Sequence, residues 1–433
     1  MSAIEPERRR GRAVIGLLVV AYASIYLCRA NVEPVFNILA ARHGYDNERI
    51  GLVFALALGA YALGKVVLGT VGDVVGGKKI LVASMTSSVV AMILLALVDW
   101  PSVLGPQAAL WVIGAFVVAN RFGQSGGWGG VVHVAAQWFP ATRRGAVMGV
   151  VSTSFDVGNV VALLSCAGLV AAGAGWRTLC VVPAALLAIA AVVVAVGLPA
   201  GSPPPSAREA AQSEEEERES VRAILARLLR SRELWLAVVQ SFLLTFARAG
   251  FMTWTPKFLY DVSLAAGRTS ALSGSIAKSA FFGAAGMTGS LVVGRLSDRW
   301  GPGRRAGVMG ASLAVLLAAV LVIAHGGARD PLVVATLIGV AGFFLLGPYS
   351  LLGGAITLDV AGKRGASTAV GIIDGVGYLG ASLSAAVLGS VSKRAGWSRA
   401  FDVLAAVIAL AIVVALVWWR RAGGAAAEKR LEA

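Results

Sequence analysis

The stretch Gly69-Thr-Val-Gly-Asp73-Val-Val-Gly-Gly-Lys78-Lys79 decides how this chain is read. It occurs twice. The second copy is Gly294-Arg-Leu-Ser-Asp298-Arg-Trp-Gly-Pro-Gly-Arg304-Arg305. Each copy is a glycine, three residues, an aspartate, further glycine and a basic pair. Each follows an apolar run of about 20 residues, the length that crosses a bilayer. A second echo lies further on: Arg144-Gly145-Ala146 matches Arg364-Gly365-Ala366. Internal repetition of this kind is the sequence mark of a secondary transporter, with its site at the repeat interface.

Working outward, apolar runs fill most of the 433 residues. The chain is 57% hydrophobic and 14% charged, where a soluble domain carries about 25% charge. We read twelve spans: 13–39, 50–70, 80–98, 107–129, 146–172, 178–198, 233–260, 275–296, 306–325, 331–353, 366–390 and 399–420. The expected fold is an all-α polytopic membrane protein, with twelve transmembrane helices in two pseudo-symmetric six-helix bundles. The bundles are residues 1–198 and 233–433. Residues 199–232 form a polar linker, from Pro203-Pro204-Pro205 through four glutamates to a basic amphipathic stretch. Ile224, Leu225, Leu228 and Leu229 share one face of that stretch, as in a helix lying on an anionic leaflet.

The net charge of +15 raises the question of nucleic acid, and its distribution answers it. Arg8-Arg9-Arg10, Lys78-Lys79, Arg143-Arg144, Arg304-Arg305, Lys363-Arg364 and Arg420-Arg421 all fall on one side of the spans. That is the positive-inside pattern. It places both termini in the cytoplasm of a multi-pass plasma (inner) membrane protein, with lipid and not nucleic acid as its partner. No cleavable signal peptide is read at the start. Cys28, Cys166 and Cys180 lie in apolar runs and imply neither disulfides nor a metal site. No P-loop, nucleophile elbow or metal set points to an enzyme, and no cofactor is implied. The chain is expected to act as a monomer.

Within the spans, charge is costly, at about 2.5–3.5 kcal/mol for an arginine at the bilayer centre. Such residues are therefore candidates for function. Tyr22, Tyr26 and Arg29 recur at helical spacing, so one face of span one carries two phenols and a guanidinium. Arg248 occupies the corresponding span of the second half. Two arginines approaching from two halves would clamp an anion, because a planar guanidinium matches phosphate bidentately. Glu33 is the local alternative partner for Arg29. Lys65 lies well inside span two, one turn after Tyr61, as a third cation. Tyr22, Tyr26, Tyr61 and Tyr378 are candidate hydrogen-bond donors to the ligand, or else aromatics in helix packing. Arg121 opens a second buried motif, Arg121-Phe-Gly-Gln124-Ser-Gly-Gly-Trp128. Asp156 and Asp374 are buried acids that either pair with Arg121 or carry protons. Lys278 has no evident partner. Asp73, Lys78, Lys79, Asp298, Arg304 and Arg305 form the gating loops.

The doubled loop over twelve spans resembles the major facilitator superfamily. Within it the chain is similar to the organophosphate:phosphate antiporters, which include carriers of glycerol-3-phosphate, hexose phosphate and glucose-6-phosphate. Four stretches carry this: Tyr22 to Asn31, Ala60 to Gly69, Arg248 to Pro256, and Gly347-Pro348 through Gly375 to Gly380. The resemblance implies that Arg29 and Arg248 hold the phosphoryl group, that Lys65 lines the cavity, and that an organophosphate exchanges for inorganic phosphate by alternating access. The chain departs from those relatives at Ala30, Thr253 and Gly283, where they carry a lysine and two acids. Phe155 stands where the glycerol-3-phosphate carriers have a histidine, and Gly129-Gly130 replaces a proline pair. The anion clamp is kept while charges around it are gone. A proton-coupled organic-anion symporter of the same superfamily is the alternative, with Glu33, Asp156 or Asp374 as the proton site. A third reading is a membrane sensor that binds a phosphorylated metabolite without moving it.

Overall fold

The computed structural model describes residues 4–139, 141–199, 221–268, 271–300, 305–327, 330–352 and 357–431. Among these residues the regular structure is helical. In chain order the helices are α1 (Ile4–Leu27), α2 (Val32–His43), α3 (Asn47–Val75), α4 (Gly77–Leu97), α5 (Trp100–Leu104), α6 (Pro106–Gln124), α7 (Gly126–Trp138), α8 (Ala141–Ala171) and α9 (Thr178–Gly197). They continue as α10 (Val221–Arg230), α11 (Arg232–Ala265), α12 (Ala271–Trp300), α13 (Arg305–His325), α14 (Pro331–Leu351) and α15 (Thr357–Leu431).

Ten segments of the described residues are long and apolar enough to cross a membrane. One of them, 371–421, is too long for a single crossing. It belongs to α15, whose 75 residues would make a straight helix roughly 110 Å long. Gly396 interrupts that run with φ of 83°, a left-handed geometry that only glycine adopts without strain. The run therefore supplies two crossings. A further crossing comes from α6 and α7, which meet at Ser125 and together cover residues 106–138. Counting 371–421 twice and adding 106–138 brings the ten to twelve. The expected all-α membrane fold is what the chain adopts.

The chain divides into two compact units. The first holds Met1–Asp46, Leu56–Ala211 and Ser270–Ala280; the second holds Asn47–Ala55, Gln212–Thr269 and Phe281–Ala433. In the first unit α1 packs on α8 and α9, and α4 packs on α6, α7 and α9. In the second, α11 packs on α14 and α15, and α13 packs on α14 and α15. The interiors are filled by side chains such as Leu18, Ile25, Met85, Leu110 and Ile113 in one, and Leu244, Phe251, Leu313 and Leu345 in the other. Leu56, Leu63, Val66, Val192 and Leu416 point outward. Lipid is as apolar as the interior, so such residues need no burial in protein.

Span one differs from its sequence reading. The expected helix over 13–39 is two helices, separated by the turn Cys28–Asn31. Pro34 is the local reason. It sits in the first turn of α2, lacks an N–H, and cannot donate to the Ala30 carbonyl. The Tyr26 carbonyl accepts from both the Arg29 and the Ala30 amides and so closes α1.

Candidate functional site

In the first unit the site is built around that turn. Stopping a helix inside a membrane frees carbonyls, and each unsatisfied one costs several kcal/mol in lipid. Here α6 supplies the donors. Asn120 Nδ2 donates to the Cys28 carbonyl at 2.8 Å, and Gln124 Nε2 donates to the same oxygen at 3.0 Å. Arg121 Nη2 donates to the Arg29 carbonyl at 3.1 Å. The two amides are themselves oriented. Ser88 Oγ donates to Asn120 Oδ1 at 2.6 Å and accepts from Gln124 Nε2 at 2.9 Å. On the far side of the turn Asn31 Nδ2 donates to the Leu179 carbonyl at 2.8 Å.

The turn carries Arg29, which is 8% exposed. Its guanidinium carbon lies 4.2 Å from the centre of the Tyr61 ring and 5.1 Å from that of Tyr26. A guanidinium over an aromatic face is held by the ring quadrupole, and the contact gains strength where water is excluded. Lys65 Nζ lies 5.7 Å from the same Tyr61 ring. Gly64 lets α3 come this close: a Cβ there would stand 2.3 Å from Ser125 Oγ and 3.0 Å from the Phe122 carbonyl. An aromatic cluster extends the surface beside Arg29. Tyr22 packs on Trp128 at 4.8 Å and on Tyr26 at 5.6 Å, and Tyr26 meets Phe155 edge-on at 5.0 Å. The structure thus brings together Tyr22, Tyr26, Arg29, Tyr61 and Lys65.

Glu33 is the local candidate partner of Arg29 in the sequence, and Asp156 and Asp374 are candidate counter-charges of Arg121. In the structure Glu33 pairs with Arg121 at 3.2 Å, with both side chains almost wholly enclosed. The reason lies in the turn. It points the start of α2 at α6, so the acid one turn after Arg29 meets the arginine that braces Arg29's carbonyl. Asp156 is half-buried on α8 and Asp374 half-buried on α15.

In the second unit Arg248 is 9% exposed and sits within the unbroken helix α11. Its guanidinium carbon lies 4.4 Å from the centre of the Tyr349 ring on α14. Sequence reading missed Tyr349. The available signal was a polar aromatic directly after Gly347-Pro348 in an otherwise apolar span. It also missed Asn120 and Ser88, although an amide within an apolar span requires partners. Tyr378 is buried on α15, and Lys278 is half-buried on α12.

Of the residues expected to form gating loops, the side chains of Asp73 and Asp298, and Arg304 altogether, lie outside the described residues. Lys78 donates to the Leu198 carbonyl at the end of α9, where a cation complements the helix dipole. Lys79 is exposed and Arg305 half-buried.

A sequence model of the Major Facilitator Superfamily matches residues 18–352 and 279–433. The chain belongs to the Major Facilitator Superfamily. Among its relatives in that superfamily is the glycerol-3-phosphate transporter of Bacillus subtilis (strain 168). It is 27% identical over 426 residues, covering 95% of this chain and 93% of the relative. The phosphoglycerate transporter protein of Salmonella typhimurium is 25% identical, over 92% and 86% of the two chains. Among solved structures, a bacterial homologue of the human lysosomal transporter Spinster aligns with a TM-score of 0.76 at 15% identity, over 95% and 97% of the chains. At that identity the likeness concerns the fold.

Proposed function

We propose that this facilitator exchanges an organophosphate, of the sugar or glycerol phosphate class, for inorganic phosphate by alternating access of its two bundles. The observation that carries the reading is Arg29, an enclosed guanidinium in a braced helix turn, held on Tyr61 and Tyr26 with Lys65 beside it. Arg248 on Tyr349 provides a second enclosed guanidinium. A guanidinium fork binds a phosphoryl group through paired hydrogen bonds. Relatives named for glycerol-3-phosphate, phosphoglycerate and hexose phosphate transport support the same cargo class. The substrate is a small anion, bound by Arg29 and Arg248 with Lys65, and by the hydroxyls of Tyr22, Tyr26, Tyr61 and Tyr378. Unneutralised charge makes closure around an empty site costly, and a bound dianion removes that cost. The carrier therefore reorients when loaded, and exchange is obligatory. The basic loops stay on the cytoplasmic side, with both termini, in a plasma (inner) membrane location.

The test is counterflow in proteoliposomes preloaded with inorganic phosphate. Radiolabelled phosphate should enter only against internal phosphate or an organophosphate, and a protonophore should leave the rate unchanged. Uptake that needs no internal phosphate and stops with a protonophore would establish the symporter instead. Binding with no flux would establish the sensor.

A further inference from the structure

The turn at Cys28–Asn31 does not follow from the local sequence alone. Pro34 removes one helical hydrogen bond, but a proline does not by itself stop a helix in this protein: Pro256 sits inside the unbroken α11. What the first turn has in addition is donors from another helix. Asn120 and Gln124 lie one helical turn apart on α6, and both reach the Cys28 carbonyl. Asn120 Oδ1 accepts from Ser88 Oγ and from Gln124 Nε2, and Gln124 Nε2 also donates to Ser88 Oγ. Asn120 and Ser88 are fully buried, and Gln124 is 1% exposed. In a buried amide network the geometry is set by mutual satisfaction, and loss of one member leaves the others unpaired. The carbonyl they hold belongs to the residue immediately before Arg29. It fixes the peptide plane from which the Arg29 side chain departs.

We propose that Asn120 and Gln124 are positioning residues for anion binding: by holding the Cys28 carbonyl they set where the Arg29 guanidinium stands over Tyr61. The inference rests on the reading of Arg29 as a phosphate ligand. Ser88 acts at one remove, by orienting both amides. Arg121 braces the next carbonyl and is balanced by Glu33, which keeps that brace from adding net charge to the turn. If the amides are lost, the turn relaxes and the guanidinium no longer meets phosphate in register. Ground-state and transition-state binding should weaken together, so affinity falls while the turnover of loaded carrier does not.

The experiment measures inorganic phosphate counterflow for wild type, Arg29→Lys, Asn120→Leu, Gln124→Leu and Ser88→Ala, with folded protein quantified by gel filtration in detergent. The expected result for Asn120→Leu and Gln124→Leu is a phosphate KM raised by about tenfold with the maximal rate within about twofold. Ser88→Ala should raise KM by a smaller factor, and it remains informative if a leucine variant fails to fold. Arg29→Lys should abolish exchange. Thiol labelling of Cys28, with Cys166 and Cys180 replaced by alanine, gives an independent readout. Cys28 is fully enclosed and should become reactive in the two leucine variants. Unchanged KM and unchanged labelling in folded Asn120→Leu, Gln124→Leu and Ser88→Ala, with Arg29→Lys impaired, would overturn the positioning role alone. Normal exchange in Arg29→Lys would overturn the phosphate reading and the positioning role with it.

Discussion

The two arginines sit in repeated positions and in different backbones. Arg29 stands in a four-residue turn between α1 and α2, and Arg248 stands in the uninterrupted 34-residue α11. Both stretches carry a proline, five residues after Arg29 and eight after Arg248. Both guanidinium groups rest on a tyrosine, Tyr61 or Tyr349. The difference is that α6 offers Asn120, Arg121 and Gln124 to the carbonyls around Arg29. A helix in lipid breaks where other side chains can take over its backbone hydrogen bonds. Proline alone is a weaker determinant.

The comparison can be broken first at its ion pair. Glu33→Ala would leave Arg121 enclosed and unpaired, and should lower stability by about 3–5 kcal/mol. Replacing Glu33 and Arg121 together by leucine should recover most of that loss in detergent unfolding. A full loss in the double variant would mean that the brace on the Arg29 carbonyl matters more than charge balance. The prolines come next. Pro256→Ala restores a hydrogen bond within α11 and should raise stability by about 1–3 kcal/mol. Pro34→Ala should change it by less than about 1 kcal/mol, because the turn is already satisfied by α6. Equal gains from both would show that the proline, and not α6, makes the turn.

The ring contacts sharpen the likeness between the two regions. Tyr61→Leu and Tyr349→Leu should each weaken phosphate binding by about 0.5–2 kcal/mol, with the phenylalanine variants closer to wild type. Isothermal titration with phosphate reads both. An effect at Tyr61 alone would make Arg29 the principal ligand. The smallest effect is expected at Lys257, which pairs with Asp261 one turn later on α11. Lys257→Ala should cost no more than about 0.5 kcal/mol in unfolding, as for other i, i+4 pairs.

Much of this was legible in the sequence. Span length, the doubled glycine–aspartate loop and the basic side reflect hydrophobic transfer and charge, which act locally. Tyr26, Arg29, Tyr61 and Lys65 were readable as a group because each pair lies within about one helical turn on its own segment. The Glu33–Arg121 pair was not legible, because it joins residues 88 apart in sequence. Asn120 and Tyr349 were missed because nothing near them in sequence reveals their partners. Asn120 serves a carbonyl 92 residues away, and Arg248 lies about a hundred residues before its ring.

By itself the sequence determined an all-α, twofold membrane carrier with cations held inside its spans. Burial and periodicity require this of any chain that places these residues in lipid. The tertiary structure decided where span one stops, which acid balances Arg121, and which ring supports Arg248. Those choices depend on donors and rings brought from distant segments, and backbone groups freed in lipid accept whatever partner the packing delivers.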